Sequence, residues 1–150
     1  MGQFENLKMR FLCGVLLLFA VSGFSQKYSK AEKDVLFQAK KLDSLMKNND
    51  HSIVDLFSKD VTFGHSNGWI QNLDDFKKDF SSKKVVYREI SQTDVSEIKK
   101  SKNTFSLRRT VKVRGLYKNQ DFEMKLAVLE IWIKMKSEWK LWSRQSVEIK

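Results

Sequence analysis

The chain has 150 residues, 41% hydrophobic and 31% charged, which is the composition of one globular domain. Its formal net charge is +10, but acidic residues are interleaved with the dispersed basic ones, so we expect a solvated surface and no nucleic-acid partner. One cysteine and two histidines, neither of them in an HxH or HExxH arrangement, exclude a disulfide framework and predict no metal site and no cofactor.

The first 25 residues have the pattern of an export signal. A basic segment precedes an apolar run over residues 11–21, and the small residues Gly23 and Ser25 stand before a cleavage site. The apolar run is shorter than the roughly 20 residues of a membrane-spanning helix. We therefore predict a signal peptide over residues 1–25, a mature domain over residues 26–150, and a periplasmic or secreted protein with no stable membrane insertion after cleavage.

Helical patterns open the mature chain. Ser29 and Glu32 have the spacing of a capping box, and apolar residues follow at helical spacing from Val35 to Met46. Asp50 is placed to cap a short second helix, whose inward-facing residues are Ile53, Val54 and Phe57. We predict two helices here, each with one apolar face.

The next stretch, residues 61–69, reads V-T-F-G-H-S-N-G-W and contains a turn with the dipeptide Asn-Gly. Short strand pieces bracket this turn, and Asn72 then opens a third helix. His65 lies in the turn. Because a histidine titrates near neutral pH, His65 is a candidate general base or hydrogen-bond donor to a ligand. The alternative is a turn histidine that bonds its own backbone.

From Val85 onward the hydrophobic period is that of strands. Four long segments alternate in polarity and are joined by polar turns. The third segment, residues 122–135, is apolar on both faces, which predicts a central strand that is covered on both sides, by helices or by a second subunit. Helices followed by a long meander predict an α+β fold, with a curved antiparallel sheet wrapped over the helices and a cavity between the layers.

Arg109 and Glu130 each interrupt an apolar strand face. A charge at such a position must be paired or must face a wet cavity. Two interpretations stay open: a polar pocket floor, or a structural pair across neighbouring strands. Aromatic residues offer a lining for the same pocket, with plain core packing as the alternative; they are Trp69, Tyr87, Trp132 and Trp142.

Two segments resemble a known family. Residues 63–69 followed by 72–76 resemble the His-Ser-x-Gly turn and third helix of the DUF4440/SnoaL-like branch of the NTF2-like superfamily, and residues 129–146 resemble its last hairpin. Glu138 departs from the pattern, since glycine is common there. The resemblance implies an NTF2-like cone of three N-terminal helices packed on a curved antiparallel β-sheet, a conical pocket, and a homodimer. It also implies that Gln145 faces the pocket, which leaves Arg144 pointing outward.

These observations lead to three functional hypotheses. The first is an exported NTF2-like domain of unassigned activity that binds a small, partly apolar ligand through Trp69, Arg109, Trp132 and Gln145. The second is an isomerase, dehydratase or cyclase of the ketosteroid-isomerase type, with general acid–base chemistry by His65, Glu130 and Tyr87. The third is a non-catalytic dimerisation module. The sequence leaves open the ligand, the oligomeric state and whether any reaction occurs.

Overall fold

The computed structural model describes residues 28–150, and the predicted signal peptide lies outside them. Helix α1 (Lys30–Lys47) begins at the predicted capping box. The Ser29 hydroxyl accepts a hydrogen bond from the Glu32 backbone N–H, and the Glu32 carboxylate accepts one from the Ser29 backbone N–H at 2.6 Å. The apolar face of α1 is buried at Val35, Ala39 and Leu42, as its spacing predicts.

The second predicted helix is a short 3-10 helix, His51–Leu56. The Asp50 carboxylate accepts a hydrogen bond from the Ser52 backbone N–H at 2.9 Å, as expected of a cap. Phe57 does not belong to this helix, because strand β1 (Phe57–Gly64) starts there. A segment this short favours 3-10 geometry. Two α-helices and one 3-10 helix thus stand where we predicted three helices.

The predicted hairpin and third helix follow. Strand β1 pairs antiparallel with β2 (Ile70–Gln71), and helix α2 (Leu73–Ser81) comes next. Asn72 caps α2 by accepting a hydrogen bond from the Asp75 backbone N–H at 2.9 Å. Phe76 on this helix is buried.

Four long strands complete the domain: β3 (Val85–Ser101), β4 (Thr104–Tyr117), β5 (Gln120–Met135) and β6 (Glu138–Glu148). They form the predicted antiparallel meander, within a six-stranded sheet of order β2-β1-β6-β5-β4-β3. The prediction of a wholly antiparallel sheet is wrong, because β1 pairs parallel with β6. These two strands come from opposite ends of the domain, so no local pattern specifies their pairing.

The core lies between the helices and the concave face of the sheet. Its fully buried members include Leu42, Ile53, Phe105, Leu107 and Trp132. A second apolar cluster occupies the same face further along β4 and β5, and consists of Val111, Val113, Leu126 and Val128. The opposite, convex face of β5 stays partly exposed in this single chain, at Ala127, Leu129, Ile131 and Ile133. In residues 28–150 no helix is both long enough and apolar enough to cross a membrane.

Candidate functional site

A cavity of about 470 Å³ opens between the sheet and the β1–β2 turn. Its walls are largely apolar and include Phe63, Ile90, Val111, Val113, Phe122, Met124 and Leu126. Its polar lining includes Asp43, His65, Asp79, Lys84, Tyr87, Asp121, Arg144 and Ser146. The second apolar cluster of the core therefore forms part of a cavity wall.

The β1–β2 turn places His65 at this cavity. The His65 backbone N–H donates to the Trp69 carbonyl at 2.8 Å, and the Gly68 N–H donates to the His65 carbonyl at 3.1 Å. Gly68 has a φ of 86°, a left-handed conformation that favours glycine. The rings of His65 and Trp69 stack with centroids 5.1 Å apart. Both side chains line the cavity.

The imidazole of His65 forms a hydrogen bond with the side chain of Gln71 and not with the His65 backbone. Its Nε2 lies 2.6 Å from Gln71 Oε1, while Gln71 Nε2 donates to the Asp75 carbonyl at 3.4 Å. This second bond orients the amide oxygen of Gln71 toward the imidazole, so Nε2 carries the proton and Nδ1 is the acceptor. Burial lowers the pKa of His65, Gln71 partly opposes this effect, and the charge of Arg144 adds to it. His65 is therefore neutral at pH 7.

Gln145 does not line the cavity, so the prediction that it faces inward is wrong. Its Nε2 donates to the His65 carbonyl at 2.9 Å and to the Ser146 carbonyl at 3.0 Å. The side chain crosses Gly64, where an added Cβ would lie 2.1 Å from Gln145 Oε1. Glycine at position 64 thus permits Gln145 to hold the His65 turn in place.

The error at Gln145 has a physical cause, which is a β-bulge in β6. Ile131 pairs with Ser143 but Trp132 pairs with Leu141, so Trp142 is an extra residue. Beyond the bulge the alternation of side chains is reversed. Arg144, predicted to point outward, is buried and lines the cavity. Trp142, a predicted lining residue, is 45% exposed.

Arg109 and Glu130 form a buried ion pair beneath the cavity. Arg109 donates to Glu130 Oε1 from Nε at 3.2 Å and from Nη2 at 2.7 Å. Arg109 also binds Asp43 of helix α1, with Nη2 to Oδ1 at 2.8 Å and a second bond from Nη1 to Oδ2. Trp132 Nε1 donates to Glu130 Oε2 at 3.1 Å. Of the two open interpretations, the structural pair is the one observed, and Arg109, Glu130 and Trp132 lie outside the cavity lining.

Arg109, Glu130 and Asp43 form a buried charged cluster, in which each carboxylate stabilises the charged form of the guanidinium. Burial acts to lower the pKa of Arg109, but the carboxylates of Glu130 and Asp43 outweigh burial and raise it. Arg109 is therefore a permanent cation that joins helix α1 to strands β4 and β5.

Tyr87 faces the cavity with its hydroxyl available. Its ring meets Phe122 edge-on, with centroids 6.0 Å apart, and within residues 28–150 the hydroxyl forms no hydrogen bond. Burial raises the pKa of Tyr87, although the nearby charge of Arg144 opposes this effect. The phenol therefore stays protonated and can donate a hydrogen bond.

Comparison with solved structures identifies the architecture. A NTF2-like protein from Cytophaga hutchinsonii superposes with a TM-score of 0.74 at 20% identity, covering 81% of this chain and 100% of that one. The chain has the NTF2-like fold. The similarity extends to a candidate dehydratase of the NTF2-like family from Streptomyces avermitilis, with a TM-score of 0.69 at 13% identity over 79% of this chain and 95% of that one.

A third match is the CaMKII hub homology domain from Chlamydomonas reinhardtii, with a TM-score of 0.65 at 12% identity, covering 81% of this chain and 100% of that one. No family model matches the chain, and no curated protein matches its sequence significantly. The predicted NTF2-like fold is confirmed. Assignment to the DUF4440/SnoaL-like branch stays a prediction.

The NTF2-like cone brings together three of the predicted site residues, His65, Trp69 and Tyr87, at one cavity. Sequence reasoning missed Asp43 and oriented Arg144 wrongly. A signal for Asp43 was present, because it falls on the apolar face of α1 and a buried carboxylate needs a cation. The bulge that redirects Arg144 has no such signal. In the described part of the chain, no group of histidine, cysteine and acidic residues is arranged to hold a metal ion.

Proposed function

We propose that this NTF2-like domain binds a small, partly apolar molecule in its cone. The observation that carries this proposal is the cavity of about 470 Å³, with apolar walls and a few converging polar groups. Ligand sites in proteins have volumes of about 300–1,000 Å³ and this same division between apolar walls and few polar groups. An open volume of this size also argues against a module whose cavity is filled by its own aromatic side chains.

The general acid–base alternative is less well supported, because it needs a free carboxylate. Glu130 is fully buried and binds Arg109 and Trp132. In the part of the chain that the structure describes, three carboxylates line the cavity and all are ion-paired: Asp43 with Arg109, Asp79 with Lys84 at 3.1 Å, and Asp121 with Arg88 at 2.7 Å. His65 and Tyr87 remain candidates for the general base and the general acid. Glu130 is no longer a candidate catalytic residue.

We extend the proposal to a homodimer formed through the convex face of the sheet. The apolar residues Ala127, Leu129 and Ile131 of β5 are partly exposed there, and Val147 of β6, which pairs with Ala127, is 54% exposed. A strand that is apolar on both faces requires cover on both. A second copy would supply that cover and leave the cavity, on the opposite face, accessible. Export of the mature domain, from residue 26 onward, remains part of this proposal.

Binding is tested with a neutral probe, 2-naphthamide, in a titration followed by ¹H–¹⁵N NMR. We expect saturable shifts that cluster at His65, Trp69 and Tyr87. Leu126→Trp should abolish them, because the larger side chain fills the cavity from its wall. The matched control is Lys112→Trp, an exposed position on β4 outside the cavity lining. Shifts that are absent from the wild type, or that survive Leu126→Trp, would contradict the proposal.

A further inference from the structure

Arg144 is a buried cation with unused hydrogen-bond donors. Its side chain is 7% exposed and lines the cavity. A guanidinium has several N–H donors in one plane. Within residues 28–150, Arg144 makes a single hydrogen bond, from Nη1 to Ser146 Oγ at 2.6 Å, and its Nε is buried without one. One face of the guanidinium lies over the Phe63 ring, 4.6 Å from the ring centroid.

The acidic groups near Arg144 are already engaged by Arg109. Glu130 Oε1 is 3.7 Å from Arg144 Nε, which is longer than a hydrogen bond, and the same oxygen accepts two hydrogen bonds from Arg109. Both carboxylate oxygens of Asp43 also accept from Arg109. Glu130 thus compensates part of the charge of Arg144 but satisfies none of its donors. Since no acceptor within residues 28–150 satisfies them, those donors are available to water or a ligand.

The electrostatic environment of Arg144 also favours the binding of an external acceptor. Burial lowers the pKa of Arg144, Glu130 opposes this effect, and the neighbouring cation Arg109 adds to it. Since a guanidinium does not lose its proton in proteins, the charge persists at a site where it is poorly solvated. An anion placed against it would relieve that cost.

We propose that the ligand of the cone is an organic monoanion, with a carboxylate or a similar group bound by Arg144 and an apolar body against the cavity wall. This inference rests on the proposed function, because it names the chemical class of the molecule in the same cavity. A carboxylate matches the planar donors of arginine in a bidentate arrangement. The phenol of Tyr87 is a second donor at the same cavity. The body would contact Val113, Phe122 and Leu126.

A polyanion is disfavoured by the remaining charges. Among the described residues, Lys84 is the other Lys or Arg in the lining, and its ammonium is bound to Asp79 at 3.1 Å. Asp43 and Asp121 also line the cavity and would repel further negative charge. One buried cation suits one anionic group.

The test compares two probes of the same shape, 2-naphthoate and 2-naphthamide, by calorimetry on the full domain. We expect the wild type to bind the naphthoate about ten- to a hundredfold more tightly, as charged hydrogen bonds imply. In Arg144→Met this preference should disappear while the affinity for the amide is retained, which also shows that the variant is folded. Arg108→Met, which removes an exposed arginine from β4 outside the cavity lining, is the matched control and should keep the preference.

Each outcome decides between the two proposals. If neither probe binds the wild type, the proposed ligand function fails, and the anion inference fails with it. If both probes bind the wild type equally, the cavity is a ligand site but the anion inference is overturned. Loss of the preference in Lys84→Met but not in Arg144→Met would place the anion at Lys84 and overturn the role of Arg144. If Arg144→Met does not fold, the Nε–H resonance of Arg144 in the wild type decides, since it must shift with naphthoate and not with the amide.

Discussion

The guanidinium of Arg109 and the carboxylate of Glu130 form an ion pair inside the domain, with Nη2 and Oε1 2.7 Å apart and both side chains fully buried. The residues are diagonal neighbours on adjacent strands, because Arg109 pairs with Val128 and Leu107 pairs with Glu130. Asp43 extends the pair to helix α1. The cluster therefore fixes the helix against the sheet beneath the cavity.

We expect Glu130→Gln to destabilise the domain by about 3–5 kcal/mol, because the buried cations Arg109 and Arg144 lose the counter-charge of Glu130 and Asp43 alone does not replace it. The substitution keeps the shape of the side chain, so the loss reports charge and not packing. Urea denaturation measures the free energy of unfolding. Asp121→Asn is the control, since it removes the carboxylate of an exposed pair with Arg88 and should change stability little. A comparable loss in both variants would refute a special role for the buried cluster.

Gly64→Ala should destabilise the domain by about 1–3 kcal/mol, because the new methyl group would overlap the Gln145 side chain. The added Cβ would lie 2.1 Å from Gln145 Oε1 and 2.9 Å from the Arg144 carbonyl. Combining it with Gln145→Ala removes the first overlap and leaves the second. A double-mutant cycle of unfolding free energies should therefore show a favourable coupling that restores part of the loss. Additive effects would mean that the two residues do not interfere.

His65 predicts a pH dependence of stability. Burial lowers its pKa in the folded state below the ordinary value of 6.5, so the unfolded chain binds the proton more strongly. The contribution of neutral His65 is then fully present above about pH 6.5 and is lost as the pH falls through that value toward the folded pKa. Denaturation from pH 7.5 to pH 5 should show a steeper loss in the wild type than in His65→Gln.

His51→Gln is the control for this experiment. It measures how much the other histidine contributes to the dependence of the unfolding free energy on pH. Parallel stability curves for the wild type and His65→Gln would show that this imidazole does not couple folding to protons.

Ile131→Lys should weaken the proposed homodimer about tenfold or more, because it places a charge in an apolar interface. Sedimentation velocity over a range of concentrations gives the dissociation constant. Phe37→Lys replaces an aromatic residue on helix α1 that is 64% exposed, away from the convex face, and should leave association unchanged. A monomeric wild type, or equal weakening by both variants, would reject this interface.

Much of the architecture could be read from local patterns. The caps at Ser29, Asp50 and Asn72 bond as their spacing predicts, and the strand alternation from Phe105 to Val113 matches the observed burial. The turn at Gly68 and the position of His65 followed from residues adjacent in sequence. The alternation also identified Arg109 and Glu130 as charges that needed either a partner or a wet cavity.

Which side chains line the cavity, and which lie beneath it, depended on tertiary structure. The bulge at Trp142 reverses the side-chain alternation of β6, so it exchanges the predicted places of Arg144 and Gln145. The parallel pairing of β1 with β6 brings Gly64 against Gln145, and the docking of α1 brings Asp43 to Arg109. Local propensity and periodicity are properties of neighbouring residues, so the sequence by itself determined most of the elements and the buried faces of helix α1 and strands β4 and β5. Strand pairing, bulges and ion-pair partners are set by segments distant in the chain, and only the folded domain decided them.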